Sequence, residues 1–340
     1  MTRRIAVLTV GVVLLVLFGL LGTTLPVPYV AQVPGPTFNT LGDIDGSPII
    51  TVQGRDPNKV SGNLNLTTVG VSREGVSLVQ AVRGWFDDEV AVVPEESVYP
   101  PGRSEQETRN ANREAFLTSE QAAESAALGH LGYPLKVVVQ NVPKGSPSAS
   151  VLAVGDTIDA IDGRATPDAD TLTTALADIP GGTKVTVSTT HLGTPREVDI
   201  TTKAAKDRAG SLLGVSVLAQ PTAPFDVQID VKDVGGPSAG LMLTLGILDL
   251  VGDDDLTGGA VVAGTGTIDA QGDVGPIGGI TLKMAAAKGL GAQLFLVPAD
   301  NCAEATGVAH PGFPLAKVAS LDDAQKALSD FEAGRTPARC

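Results

Sequence analysis

The chain has 340 residues, enough for two or three domains, and its 43% apolar but 4% aromatic composition means cores built from Val, Leu, Ile and Ala. Asp and Glu outnumber Lys and Arg by 38 to 24, a net charge of −14 with no basic run, which excludes nucleic acid and anionic membrane surfaces as electrostatic partners. The 40 glycines and 23 prolines are dispersed, so they imply many turns rather than a low-complexity block.

The N-terminus reads as a membrane anchor. Residues 5–25, "IAVLTVGVVLLVLFGLLGTTL", carry no charge, and about 20 such residues in a helix cross a hydrocarbon core. Arg3 and Arg4 precede the stretch and the next basic residue is Arg55. The positive-inside rule then leaves the N-terminus in the cytoplasm and the body outside. A cleaved signal peptide is the rival reading, but "LPVPYVAQVPG" offers a poor cleavage site.

Residues 26–48 are punctuated by Pro and Gly and read as a linker, the start of a region of strands and helices reaching residue 118. Alternation predicts strands from "SPIITV" through "GNLNLTTVGV", and "VSLVQAVRGWF" (76–86) predicts an amphipathic helix. "LTSEQAAESAALGHLGY" (117–133) opens on a capping-box pattern, Thr118 with Gln121, and predicts a helix ending at Gly132.

A compact unit follows. "LKVVVQNV" (135–142) predicts a strand, "GDTIDAIDG" (155–163) a strand between tight turns, and "DADTLTTALADI" (168–179) a helix capped by Asp168. "TKVTVSTT" and "REVDITT" flank "HLGTP" as a hairpin. Over residues 119–205 this order, and "GDTIDAIDG" above all, resembles a PDZ domain. The resemblance implies an extended peptide docked between the 135–141 strand and the 168–179 helix. Leu131, Gly132 and Tyr133, a loose match to the family's carboxylate-binding loop, would line that groove with Leu172 and Leu176. A small structural domain is the alternative.

From about residue 210 the pattern alternates strands and helices, which predicts an α/β domain. Its "GGPSAGLML" (235–243) sets Ser238 on a Gly/Pro turn before an apolar helix. On those residues alone Ser238 is either a helix N-cap or a nucleophile presented on a tight turn. A nucleophile needs a base. The three histidines lie at a helix end (His130), in a hairpin (His191) and in a Pro/Gly loop (His310), none where a triad would require it. Lysine is the other option if burial keeps it neutral. In "GGITLKMAAAKG", helical spacing places Lys283 within an apolar stripe of Ile280, Met284 and Ala287; a snorkelling lysine is the bland reading of that stripe.

"GGPSAG" followed by "GTGTIDAQGDVGPIGGITLKMAAAKGLGAQLFLVP" resembles the proteolytic domain of Lon proteases, over residues 210–335. The resemblance implies Ser238 as nucleophile, Lys283 as general base and Thr265 as the threonine that hydrogen-bonds the lysine. Gly235, Gly236 and Pro237 would form the turn, with Ser238 N–H and neighbouring glycine N–H groups as oxyanion donors. Two positions depart from the pattern of cytoplasmic members, Gly235 in place of Asp and Thr267 in place of Glu. No G-x-x-x-x-G-K-[ST] occurs, so no ATPase motor is encoded, and "GTGTID" lacks the third glycine of a dinucleotide fingerprint.

The expected fold class is therefore a multi-domain α/β chain: an N-terminal transmembrane helix, a PDZ-like α+β domain and a Lon-type α/β proteolytic domain. As a whole it resembles membrane-anchored, PDZ-containing Lon-like serine proteases. That implies an ATP-independent endopeptidase at the cell membrane, acting on extracytoplasmic polypeptides, without cofactor, metal or nucleic acid, and as a homo-oligomer. The alternative from another class is a membrane-anchored peptide-binding scaffold with an idle protease domain. Cys302 and Cys340 lack metal-ligand spacing and are expected to pair in an oxidising compartment, clamping the C-terminal helix; two free thiols are the other reading.

Overall fold

A computed structural model describes every residue except 1, 73–74, 88, 192, 207–208, 233 and 308–311. His310, considered above as a base, therefore lies outside the described residues. The chain begins with α1 (Thr2–Thr24). Its segment Arg3–Thr24 is long and apolar enough to cross a membrane, and none of it is buried against the body.

The stretch expected to be a linker is a strand. β1 (Tyr29–Asn39) pairs antiparallel with β2 (Asn63–Val71). The prolines that suggested a linker sit at a break in register between Pro34 and Thr37, the kind of bulge where a strand tolerates proline. Gly35 is required there, because a Cβ would lie 2.7 Å from the Thr68 carbonyl carbon. Next come α2 (Leu78–Gly84), with a Ser77/Gln80 capping box, and β3 (Ala91–Pro94) on the other side of β1.

Helix α3 (Glu105–His130) also differs from expectation, starting twelve residues before 117. Its capping box is Ser104 with Glu107, just after the helix-breaking Pro100–Pro101–Gly102. Thr118 lies inside the helix and turns its hydroxyl back to the Glu114 carbonyl, so its capping pattern is unused.

The middle of the chain forms one sheet from β4 (Leu135–Asn141), β5 (Thr157–Ile161), β6 (Lys184–His191), β7 (Thr194–Thr201) and β8 (Ser216–Pro221), with α4 (Ala169–Ala177) against it. The strand order is β7-β6-β5-β4-β8. Inside the unit, fully buried Asp156 forms an ion pair with Arg196 and a hydrogen bond with His191, each at 2.6 Å. His191 is thus a structural partner.

The rest of the chain supplies α5 (Gly240–Val251), β9 (Val261–Gly264), α6 (Ile280–Leu290), β10 (Leu294–Pro298), β11 (Leu315–Val318) and α7 (Leu321–Glu332). These strands join the first three in one six-stranded sheet, β11-β10-β9-β2-β1-β3. Half of that sheet comes from residues 29–94, so the expected 210–335 unit is incomplete by itself. The pairing is parallel from β11 to β2 and antiparallel from there to β3.

Alternation along β10 fixes the layers. Leu294 and Leu296 face a core with α3, α5 and α7, while Phe295 and Val297 face a second core with α6. Every residue of α5 is buried. Phe116, Ala123, Ala126 and Ala127 of α3 pack in the same core as α5. That helix was expected to open the PDZ-like unit; its apolar face instead belongs to the larger core.

Candidate active site

The site forms where the two helical layers meet at the end of β9. Ser238 precedes α5 on one face of the sheet, Lys283 sits in the first turn of α6 on the other, and Thr265 follows the last residue of β9. Lys283 Nζ lies 2.6 Å from Ser238 Oγ and 2.9 Å from Thr265 Oγ1. Thr265 donates its own proton to the Ser238 carbonyl at 3.0 Å. Its remaining lone pairs are left to accept from the lysine, which fixes Nζ against the serine.

Lys283 is 3% exposed. Burial, which disfavours the ammonium, lowers its pKa to about 8. The amine is then neutral in roughly one molecule in ten at pH 7 and about half at pH 8. A neutral amine at this distance can accept the serine proton, and a buried ammonium can return one to a leaving amine. The snorkelling alternative does not occur.

The serine turn is held from behind. Gly236, at φ +84°, donates its N–H to the Asn112 carbonyl at 2.8 Å, and Ser119 Oγ donates to the Pro237 carbonyl at 2.9 Å. The Gly236 N–H is therefore committed to the scaffold, and Pro237 has none. Ser238 N–H lies beside the N-terminus of buried α5. Gly266 N–H also anchors the Ser238 carbonyl, at 3.0 Å.

A cleft of about 730 Å³ opens over Ser238 and Lys283. Val234, Gly235, Thr267 and the 276–278 turn line one side; Pro36 and Phe38 of β1 and residues 66–71 of β2 line the other. The sequence reading had no role for β1, β2, Asn112 or Ser119. Nothing local marks them, since Ser119 and Pro237 are 118 residues apart.

The five residues expected to form a peptide groove are not brought together. Leu172 and Leu176 are 5% and 4% exposed inside the middle unit's core. Leu131 packs against the larger core, and the Tyr133 ring stands edge-on to Phe225 at 5.6 Å. Strand β8 pairs along β4 and touches α4, so the chain itself fills the expected space between 135–141 and 168–179. The sheet's terminal strands are β7 and β8, each with one edge unpaired in the sheet.

Cys302 and Cys340 are joined as a disulfide, with Cα atoms 5.0 Å apart. The bond secures the C-terminal tail along β11, where Lys317 N–H donates to the Ala338 carbonyl at 2.8 Å. It does not act on α7 directly. Among the described residues no cluster of His, Cys, Asp and Glu could hold a metal ion.

Comparison with known families identifies two parts of the chain. Residues 104–202 match the PDZ domain, and residues 228–314 match the Lon protease (S16) C-terminal proteolytic domain. No curated protein matches the chain. Among solved structures, the PDZ domain of an SdrC-like protein from Listeria monocytogenes is 25% identical over 24% of this chain and 87% of its own, with a TM-score of 0.23. The PDZ domain of an SdrC-like protein from Listeria innocua is 23% identical over 26% of this chain and 97% of its own, with a TM-score of 0.23. A Geobacillus thermodenitrificans protein is 26% identical over 24% of this chain and 94% of its own, with a TM-score of 0.22.

Proposed function

For a chain that carries a PDZ domain and a Lon-type proteolytic domain, we propose ATP-independent serine endopeptidase activity carried by Ser238 and Lys283. The observation that carries the reading is the 2.6 Å contact between Ser238 Oγ and a buried lysine whose pKa is lowered to about 8. Neutral Lys283 takes the hydroxyl proton as Oγ attacks the scissile carbonyl. The tetrahedral oxyanion is held at Ser238 N–H, and Lys283 then gives its proton to the departing amine. Water, deprotonated by the same amine, cleaves the acyl-enzyme. Thr265 is the positioning residue for Nζ.

Without a motor in the sequence, the substrate is an extended or unfolded polypeptide segment able to lie in the 730 Å³ cleft. The PDZ domain captures it by strand addition, and the unpaired outer edges of the terminal strands β7 and β8 support that role. The proteolytic unit takes in residues 29–94 as well as 225–340, with the PDZ sheet inserted between them; the shared six-stranded sheet supports the contribution of 29–94. Helix α1 is the membrane anchor, and Arg3 and Arg4 before it support a cytoplasmic N-terminus with the body outside. The disulfide accords with an oxidising compartment. Trapping with Ser238→Ala, followed by mass spectrometry of the bound polypeptides, tests the reading. A trapped substrate that the wild-type protein cleaves without ATP supports it; substrates left uncut by the wild-type protein argue for a scaffold.

A further inference from the structure

Helix α2 carries an apolar surface that neither core explains. Ala81 and Gly84 are buried, and a Cβ on Gly84 would lie 3.1 Å from Val90. Beside them Leu78, Val82, Trp85 and Phe86 are 51%, 39%, 60% and 88% exposed, with the Trp85 ring edge-on to Tyr29 at 6.4 Å. Spacing of this kind gathers the four on one arc of the helix and its final turn. The only basic residue in α2 is Arg83, and Asp87, Asp88 and Glu89 follow closely, so the patch is apolar rather than cationic.

Its position says what it meets. Helix α1 ends at Thr24, and only Leu25, 55% exposed, to Pro28 separate it from β1. Those few residues are tied to the start of α2: Val27 N–H donates to the Val76 carbonyl at 2.9 Å, and Pro26 bridges Ser77. A Cβ on Gly22 of α1 would touch Val79 of α2 at 3.5 Å. Apolar side chains held at the end of a membrane-length helix fall at the lipid–water boundary, where tryptophan and amphipathic helices settle.

We propose that α2 and the Trp85–Phe86 turn form a second membrane contact, inserted shallowly into the bilayer beside α1 and bound by apolar burial rather than by anionic headgroups. The occupant is lipid, argued from the continuity of the patch with α1, and the proposal rests on α1 being the anchor. Two contacts fix the tilt of the body where one helix with a short connection would leave it free. Tyr29 begins β1 and Pro36 lines the cleft, so their seven-residue separation spans at most about 23 Å of strand. The cleft is then held close to the membrane and favours polypeptide segments near the bilayer surface.

Trp85 is the chain's single tryptophan, so its fluorescence reports this patch alone. The full chain is reconstituted into phosphatidylcholine vesicles, with and without bromine at shallow acyl positions. Flotation with the vesicles reports the anchor. The expected result is a blue-shifted Trp85 emission, lost for the most part to brominated lipid, protected from aqueous acrylamide, and unaffected by anionic lipid or salt. The double variant Val82→Ser, Phe86→Ser should float equally, cleave short peptides equally, and recover acrylamide quenching. A floating protein whose Trp85 is quenched by acrylamide and untouched by bromine overturns the proposal, as does protection from both quenchers, which would mean a protein partner or second copy. Failure to float overturns the anchor reading, and this proposal with it.

Discussion

Lys283 Nζ and Ser238 Oγ are 2.6 Å apart although they begin helices on opposite faces of one sheet. The lysine is buried, with its pKa lowered to about 8. Activity that needs the neutral amine should therefore rise with pH and level off above an inflection near pH 8. A kcat/KM profile for a short peptide between pH 6 and 10 checks this; a profile already level at pH 6 contradicts it. Lys283→Arg, which stays charged, should lose about 10³-fold or more.

The same burial has a stability consequence. An unfolded lysine titrates near 10.5 and the folded one near 8. Between those values the folded state binds fewer protons, so this group's contribution to stability rises with pH; below pH 8 the cost of burying the ammonium is present in full. That cost is roughly 3 kcal/mol at most, partly offset by the two hydrogen bonds. Lys283→Met should raise the melting temperature at pH 6, and the gain should shrink toward pH 10. A gain independent of pH would mean that packing, not charge, is responsible.

Thr265→Val keeps the shape and removes the hydroxyl that accepts from Nζ and donates to the Ser238 carbonyl. We expect kcat to fall about 10- to 100-fold, less than the loss of the base itself would cost, with KM little changed. Losing an acceptor for the ammonium should also move the pH inflection downward. Thr265→Ser should restore both. Loss of stability with unchanged pH dependence would reduce Thr265 to a packing residue.

Ser119→Ala removes the hydrogen bond that holds the Pro237 carbonyl from behind the catalytic turn. A buried bond of this kind contributes about 1 kcal/mol. The variant should fold, melt a few degrees lower and lose kcat more than KM. Unchanged kcat would show that the turn keeps its shape without α3.

How much of this was legible in the sequence depends on distance along the chain. Ser238, Thr265 and Lys283 lie within 46 residues of one another, and the apolar periodicity around Lys283 foretells its burial. Pro34, Gly35 and Pro36 hid β1, because a bulge accommodates residues that usually end a strand. Thr118 and Gln121 imitate a helix start, yet nothing there breaks the helix that Ser104 has already begun. Leu172 and Leu176 were placed correctly on one helical face, but periodicity cannot tell a groove from a core. The supports that come from Asn112, Ser119 and β2 are long-range pairings with no local mark.

The disulfide closes a separation of 38 residues, worth roughly 3–4 kcal/mol in the chain-entropy model. It secures the tail on β11. Reduction should therefore lower the melting temperature and leave peptide cleavage at 25 °C unchanged. Intact mass with alkylation, before and after reduction, establishes the bond: two alkylated thiols in unreduced exported protein would rule it out.

Cleavage of peptide bonds by Ser238, activated by Lys283 and without ATP, is open to direct measurement. The direct measurement is hydrolysis of an internally quenched peptide by the purified full chain, in the absence of nucleotide, beside Ser238→Ala and Lys283→Ala proteins with unchanged melting profiles. Turnover by the wild-type protein is expected, with loss of about 10³-fold or more in each variant. Hydrolysis that persists undiminished in Ser238→Ala would contradict that role for Ser238.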